Sequence, residues 1–133
     1  MFFSLNPTSG VPLYRQLFQQ LRERIVSGQI AAGTQLPSVR DLSAELHINP
    51  LTVAKVYQFL ERDGLVETRR GLGTFVAAIT QELTKTEQRE QLEPALRQVV
   101  TEAMHLGLSS EELEQLVRKT FEKLNPQSKK RHD

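Results

Sequence analysis

The chain has 133 residues, 25% of them charged and 38% hydrophobic, with a formal net charge of +1 and no cysteine. That length suits one domain, or a domain with an appendage, and is enough for a core without covalent staples. The composition excludes a disulfide framework and thiolate metal sites. No apolar run approaches the ~20 residues of a membrane helix, and Met1-Phe2-Phe3 is too short for a signal-peptide core, so a cytoplasmic protein is expected.

Residues 1–11 hold Pro7, Ser9 and Gly10 and read as an extended arm. Pro12 suits a first helical position, where its missing N–H is not needed. Leu13, Leu17, Leu21 and Ile25 recur every four residues, with Phe18 and Val26 widening the stripe. This spacing predicts an amphipathic helix with one buried face, ended by Gly28. A connector follows through Gly33, with room for a short strand near Thr34–Leu36.

Ser38 is placed to cap the next helix, Ser38–Leu46, with Asp41 spaced for a capping-box-like pair. Val39, Leu42 and Leu46 form its apolar face. His47-Ile48-Asn49-Pro50 is a turn in which Asn49 suits an N-cap and Pro50 the first helical position. The helix about Pro50–Arg62 presents Val53, Val56, Tyr57 and Leu60 on one face and stops at Asp63-Gly64. Leu65–Arg69 alternates as a strand does, Arg70-Gly71-Leu72-Gly73 is a hairpin tip, and Thr74-Phe75-Val76 is the return strand.

Beyond Ala78 the composition changes. Thr84 and Glu87 are spaced as a capping box, and Leu92, Leu96, Val99, Ala103 and Leu106 make a short heptad-like stripe. Pro94 predicts that this helix begins or kinks there. Gly107 ends it. Ser109 and Glu112 form a second capping box, and Leu113, Leu116, Val117, Phe121 and Leu124 line a last helix stopped by Asn125-Pro126. Residues 127–133 read as a disordered tail. The fold class is therefore mainly α with a small β-wing. A winged helix-turn-helix domain (1–78) is followed by a two-helix dimerisation domain (79–126).

Enzyme readings fail early. Glu111, Glu112 and Glu114 sit where a helix start favours negative charge. Gly71-Leu72-Gly73 joins two strands and lacks the third glycine of a dinucleotide loop. His47, His105 and His132 have no ligand spacing. No catalytic residue, metal or cofactor is called for.

Duplex DNA fits better. A helix after a short turn can lie in the major groove with its N-terminal residues at base edges. Those residues are Asn49, Pro50, Leu51 and Thr52, with Lys55 one turn on. Thr52 can bond phosphate or base, Lys55 can reach either, and Leu51 offers apolar contact to a thymine methyl. Arg40 is either a surface arginine paired with an acid or a guanidinium aimed at phosphate or guanine. Arg69 and Arg70 precede Gly71, where backbone can approach a phosphate or enter a minor groove; the alternative is a solvated tip. Charge follows this division. Residues 1–78 carry eight Lys/Arg against six Asp/Glu, and residues 79–127 carry six against nine.

Leu36-Pro37-Ser38-Val39-Arg40-Asp41-Leu42, Asn49-Pro50-Leu51-Thr52-Val53, Leu60–Leu65 and Arg69–Val76 together resemble the GntR family of bacterial transcription regulators. Pro12–Leu17 is similar to that family's first helix. The short helical tail, with Ala103–Ser109 joining its helices, resembles the YtrA subfamily. That resemblance implies a homodimeric repressor, often of genes for ABC-type transporters. It implies DNA contacts at Arg40, Asn49–Thr52, Arg70 and Gly71. Some relatives carry Arg where this chain has Pro50 or Ala54, so its recognition helix is poorer in base-reading side chains.

The two C-terminal helices carry more apolar surface than a two-helix hairpin can bury. Leu92, Leu96, Val99, Leu113, Val117, Phe121 and Leu124 are the surplus, and a second copy is the expected partner. A palindromic operator is then expected. Activator, architectural binder and protein-interaction module remain alternatives, and a small-molecule effector is left open because no pocket for one is legible.

Overall fold

The computed structural model describes residues 3–79 and 82–125. The chain divides into two compact units, Met1–Ile79 and Thr80–Asp133. The expected disordered tail at 127–133 lies outside the described residues.

The first unit runs α1 (Leu13–Val26), α2 (Val39–Leu46), α3 (Pro50–Arg62), β1 (Val66–Arg69) and β2 (Gly73–Val76). Helix α3 is central, packing on α1, α2 and β1. Its Val53, Val56 and Leu60 are fully buried with Leu17 and Leu21 of α1 and Leu42 of α2. Phe59 extends this core outward, edge-on to Phe18 and tilted to Tyr14 with ring centroids 6.2 and 6.0 Å away. Such aromatic contacts add to what burial alone contributes.

Two details of α1 differ from expectation. Pro12 is the N-cap and not the first helical residue, its carbonyl accepting from the N–H groups of Arg15 and Gln16. Val26 is half exposed, because the core face closes at Ile25. The arm before the helix is docked. Phe3 is buried in the core, and Arg24 stacks 4.3 Å from its ring centroid. Gln16 and Gln20 pair with the arm backbone as a strand would. Gln20 accepts from the N–H of Ser4 (2.9 Å) and donates to its carbonyl (2.7 Å), and Gln16 does the same with Asn6 (2.8 and 2.9 Å). Neither glutamine gave a sequence signal for this, since both sit on the polar side of the stripe.

The wing is an antiparallel pair in register Val66↔Val76 to Arg69↔Gly73. The connector adds a third segment through a bridge between Gln35 and Phe75, with Leu36 N–H bonded to the Thr74 carbonyl at 2.8 Å.

The second unit holds α4 (Lys85–His105) and α5 (Ser110–Leu124). Both begin in complete capping boxes, Thr84 with Glu87 and Ser109 with Glu112. Helix α4 runs through Pro94, so it does not begin there. The complete capping box at Thr84 starts the helix ahead of Pro94. At its end, Leu108 N–H bonds the Ala103 carbonyl and Gly107 N–H that of Met104, a Schellman motif with Gly107 at φ +80°. The two helices barely pack on each other. Leu92, Leu96, Val99, Val117, Phe121 and Leu124 are exposed, and Leu113 is half-buried. The expected surplus is thus nearly the whole apolar face of the pair. Among the described residues no helix is long and apolar enough to cross a membrane.

Candidate nucleic-acid interface

The sequence places a rigid turn between α2 and α3. Ser38 caps α2 by accepting from Asp41 N–H at 3.0 Å, and Ser43 Oγ donates to the Arg40 carbonyl at 2.9 Å. The reciprocal bond, from Ser38 N–H to the Asp41 carboxylate, is not made, so only half of the expected box forms. Tyr57 ties the entry of α2 to α3, its hydroxyl donating to the Pro37 carbonyl at 2.6 Å. Burial pushes that phenol's pKa above its ordinary range. At the exit of α2, His47 adopts φ 56°, ψ 43°. Glycine holds the left-handed position after α1, α3 and α4 (Gly28, Gly64 and Gly107). A β-carbon there is strained, and His47 bears that strain inside the turn.

Asn49 Oδ1 accepts from Leu51 N–H at 2.9 Å, capping α3 and leaving the side-chain NH₂ available. Pro50 and Leu51 are exposed, Leu51 by 77%, which is far more than packing of a core helix allows. Thr52 is half-buried. Lys55 does not extend freely. Its ammonium sits 3.7 Å from the Tyr14 ring centroid and 5.7 Å from that of Phe59. Leu13, Tyr14, Leu51, Thr52 and Lys55 together line one open cleft. Tyr14 is therefore part of this surface, though its place in a helix facing α3 carries no sequence signal for it.

The three arginines differ. Arg40 is exposed on the first turn of α2, and no described residue pairs with its guanidinium, so the expected alternative of an acid partner is not realised. Arg69 is engaged. Its Nε and Nη2 donate to Glu67 Oε1 at 3.1 and 2.8 Å, and its guanidinium lies 4.3 Å from the Phe75 ring centroid. Arg70, at the tip, is exposed and has no partner among the described residues. Gly71 follows at φ +78° and Leu72 is exposed. Gln35, unremarked in sequence, donates from Nε2 to the Leu72 carbonyl at 2.8 Å.

The model for bacterial regulatory proteins of the gntR family matches residues 13–76. The HTH-type transcriptional repressor YtrA of Bacillus subtilis (strain 168) is 33% identical over 114 residues, covering 86% of this chain and 88% of that one. The uncharacterized HTH-type transcriptional regulator YhcF of the same organism is 40% identical over 108 residues, covering 79% and 86%. Among solved structures, a transcriptional antiterminator from Listeria monocytogenes EGD-e superposes with a TM-score of 0.80 at 30% identity, over 93% of this chain and 92% of that one. YtrA from Sulfolobus acidocaldarius, a GntR-family transcription factor, does so with a TM-score of 0.60 at 26% identity, over 79% and 99%.

Proposed function

The chain belongs to the GntR family and is a DNA-binding transcriptional regulator, and from that premise we propose a homodimeric repressor that grips the two halves of a palindromic operator. The uncovered apolar face of α4 and α5 carries this reading. Full burial of an aliphatic or aromatic side chain is worth ~1.5–3 kcal/mol. Several per protomer offset the ~4–15 kcal/mol that association costs. In this reading residues 79–126 are the dimerisation domain, and Leu92, Leu96, Val99, Leu113, Val117, Phe121 and Leu124 lie in the interface. Residues 1–78 are the DNA-binding domain.

Each half-site then meets one set of contacts. Arg40 takes phosphate or guanine. Asn49 to Thr52 face base edges, with Leu51 against a thymine methyl. Lys55 takes phosphate, and Arg70 and Gly71 form the main wing contact, with Arg69 held beside them by Glu67 and Phe75 and contributing less. Two-fold symmetry places half-sites about one DNA turn apart, roughly 34 Å. Occlusion of RNA polymerase is the proposed mode of repression, and the repressor among the relatives supports it. Transporter genes are the proposed targets, as the subfamily resemblance implies.

Light scattering together with footprinting tests the proposal. A dimer with two symmetric protected patches is expected. A monomer protecting one asymmetric half-site refutes it. A promoter–reporter assay separates repression, expected here, from activation.

A further inference from the structure

We propose that Gln35 is a positioning residue for DNA recognition, a latch that holds the wing tip in one conformation so that Arg70 and Leu72 are presented together. The inference rests on the wing contact proposed above. The connector carrying Gln35 runs beside β2, with Gly33 N–H bonded to the Val76 carbonyl at 2.8 Å and Val76 N–H to that of Thr34 at 2.9 Å. From that fixed base the side chain reaches the tip, and its Nε2 donates to the Leu72 carbonyl at 2.8 Å. The bond joins positions 37 apart in the chain, so it is a tertiary brace added to the turn's own bond, from Leu72 N–H to the Arg69 carbonyl at 2.9 Å.

Gly73 makes room for the latch. Its φ is +129°, and a Cβ there would lie 2.6 Å from Gln35 Nε2. A side chain at 73 would displace the amide. On the other strand, Arg69 is bonded to Glu67 and stacked on Phe75. Both feet of the tip are therefore held, and only Arg70, Gly71 and Leu72 project, Leu72 with 66% exposure. A glycine-flanked tip without the latch would have to be ordered on each encounter with DNA, and that ordering weakens binding. The latch performs the ordering during folding.

The test uses the full chain and an operator duplex selected from a random library by the wild-type protein. Gln35→Met keeps the length and removes the donor, and Gln35→Glu keeps the shape and removes the donor. Each is expected to weaken binding about fivefold while the chain stays folded, with Tm lowered by at most a few degrees. In the Gln35→Met background, Arg70→Ala is expected to cost less than it does alone, because an unlatched tip already presents Arg70 poorly. Unchanged affinity in the Gln35 variants, additive penalties, or a loss that comes with a larger fall in Tm overturns the latch. A penalty in Arg70→Ala with none in Gln35→Met removes the latch alone. Full affinity in Arg70→Ala removes the wing contact, and the latch with it.

Discussion

Arg69 and Arg70 are neighbours at the wing, and their environments predict opposite importance for DNA binding. For Arg69 to reach DNA it must leave Glu67, bonded at 2.8 Å with both side chains about half exposed, and the Phe75 face at 4.3 Å. An exposed ion pair is worth ~0.2–1 kcal/mol and an exposed cation–π contact ~0.5–1 kcal/mol. Releasing Arg69 therefore costs on the order of 1–2 kcal/mol, which cancels most of a phosphate contact. Arg70 has no such contacts to break among the described residues. Arg70→Ala is expected to weaken each half-site by ~1–3 kcal/mol if the guanidinium reaches a base. If it reaches phosphate in both copies of a dimer, the slope of log K against log salt falls by about 1.8, that is ~0.9 per contact. Arg69→Ala is expected to cost under ~1 kcal/mol in binding. Fluorescence anisotropy titrations between about 50 and 200 mM salt measure both quantities. If Arg69→Ala costs as much as Arg70→Ala, or Arg70→Ala changes neither affinity nor slope, the reasoning fails.

Three stability predictions accompany it. Tyr57→Phe leaves the Pro37 carbonyl without its 2.6 Å partner and is expected to cost ~0.5–1.5 kcal/mol by urea unfolding. Because burial raises the Tyr57 pKa above its ordinary 10.0, its contribution is full below that pH and is lost as pH rises beyond it. An alkaline fall in stability that is smaller in Tyr57→Phe is the expected signature, and an identical fall in both proteins would contradict it. His47→Gly relieves a left-handed β-carbon and should stabilise the chain by about 1 kcal/mol; a lower Tm would show that His47 makes compensating contacts. Ser109→Ala removes the cap of α5 and should cost ~0.5–2 kcal/mol of helix stability. The bond from Ser109 N–H holds the Glu112 carboxyl below its usual range. The capping contribution is therefore present above the ordinary carboxylate pKa and lost as acid titrates the folded group. Circular dichroism of wild type and Glu112→Gln across acidic pH checks this, a smaller acid loss being expected in the variant.

Much of the candidate interface was legible because it is written in local chemistry. Ser38, Asn49, Pro50 and Gly64 bound α2 and α3 by capping and turn preferences that act within a few residues. The wing follows from alternation and Gly71-Leu72-Gly73. Arg40 and Arg70 could be named from their positions beside those signals. Lys55 on Tyr14, Arg69 on Phe75 and Gln35 on Leu72 could not. The first and last join residues that no periodicity relates, while Arg69 and Phe75 are diagonal neighbours whose meeting depends on the exact hairpin register; each changes what a basic or polar side chain is free to do.

By itself the sequence determined the order, type and approximate ends of the helices and wing, the apolar residues that enter the core, and the family resemblance. Caps, turns and amphipathic periods are short-range, so they survive reading one residue after another. Only the tertiary structure decided that the arm docks on Gln16 and Gln20 and that α4 passes through Pro94. It also gave Arg69 partners in Glu67 and Phe75 that Arg70 lacks among the described residues. The docking of the arm depends on which distant groups meet, and a contact between residues far apart in the chain has no local signature.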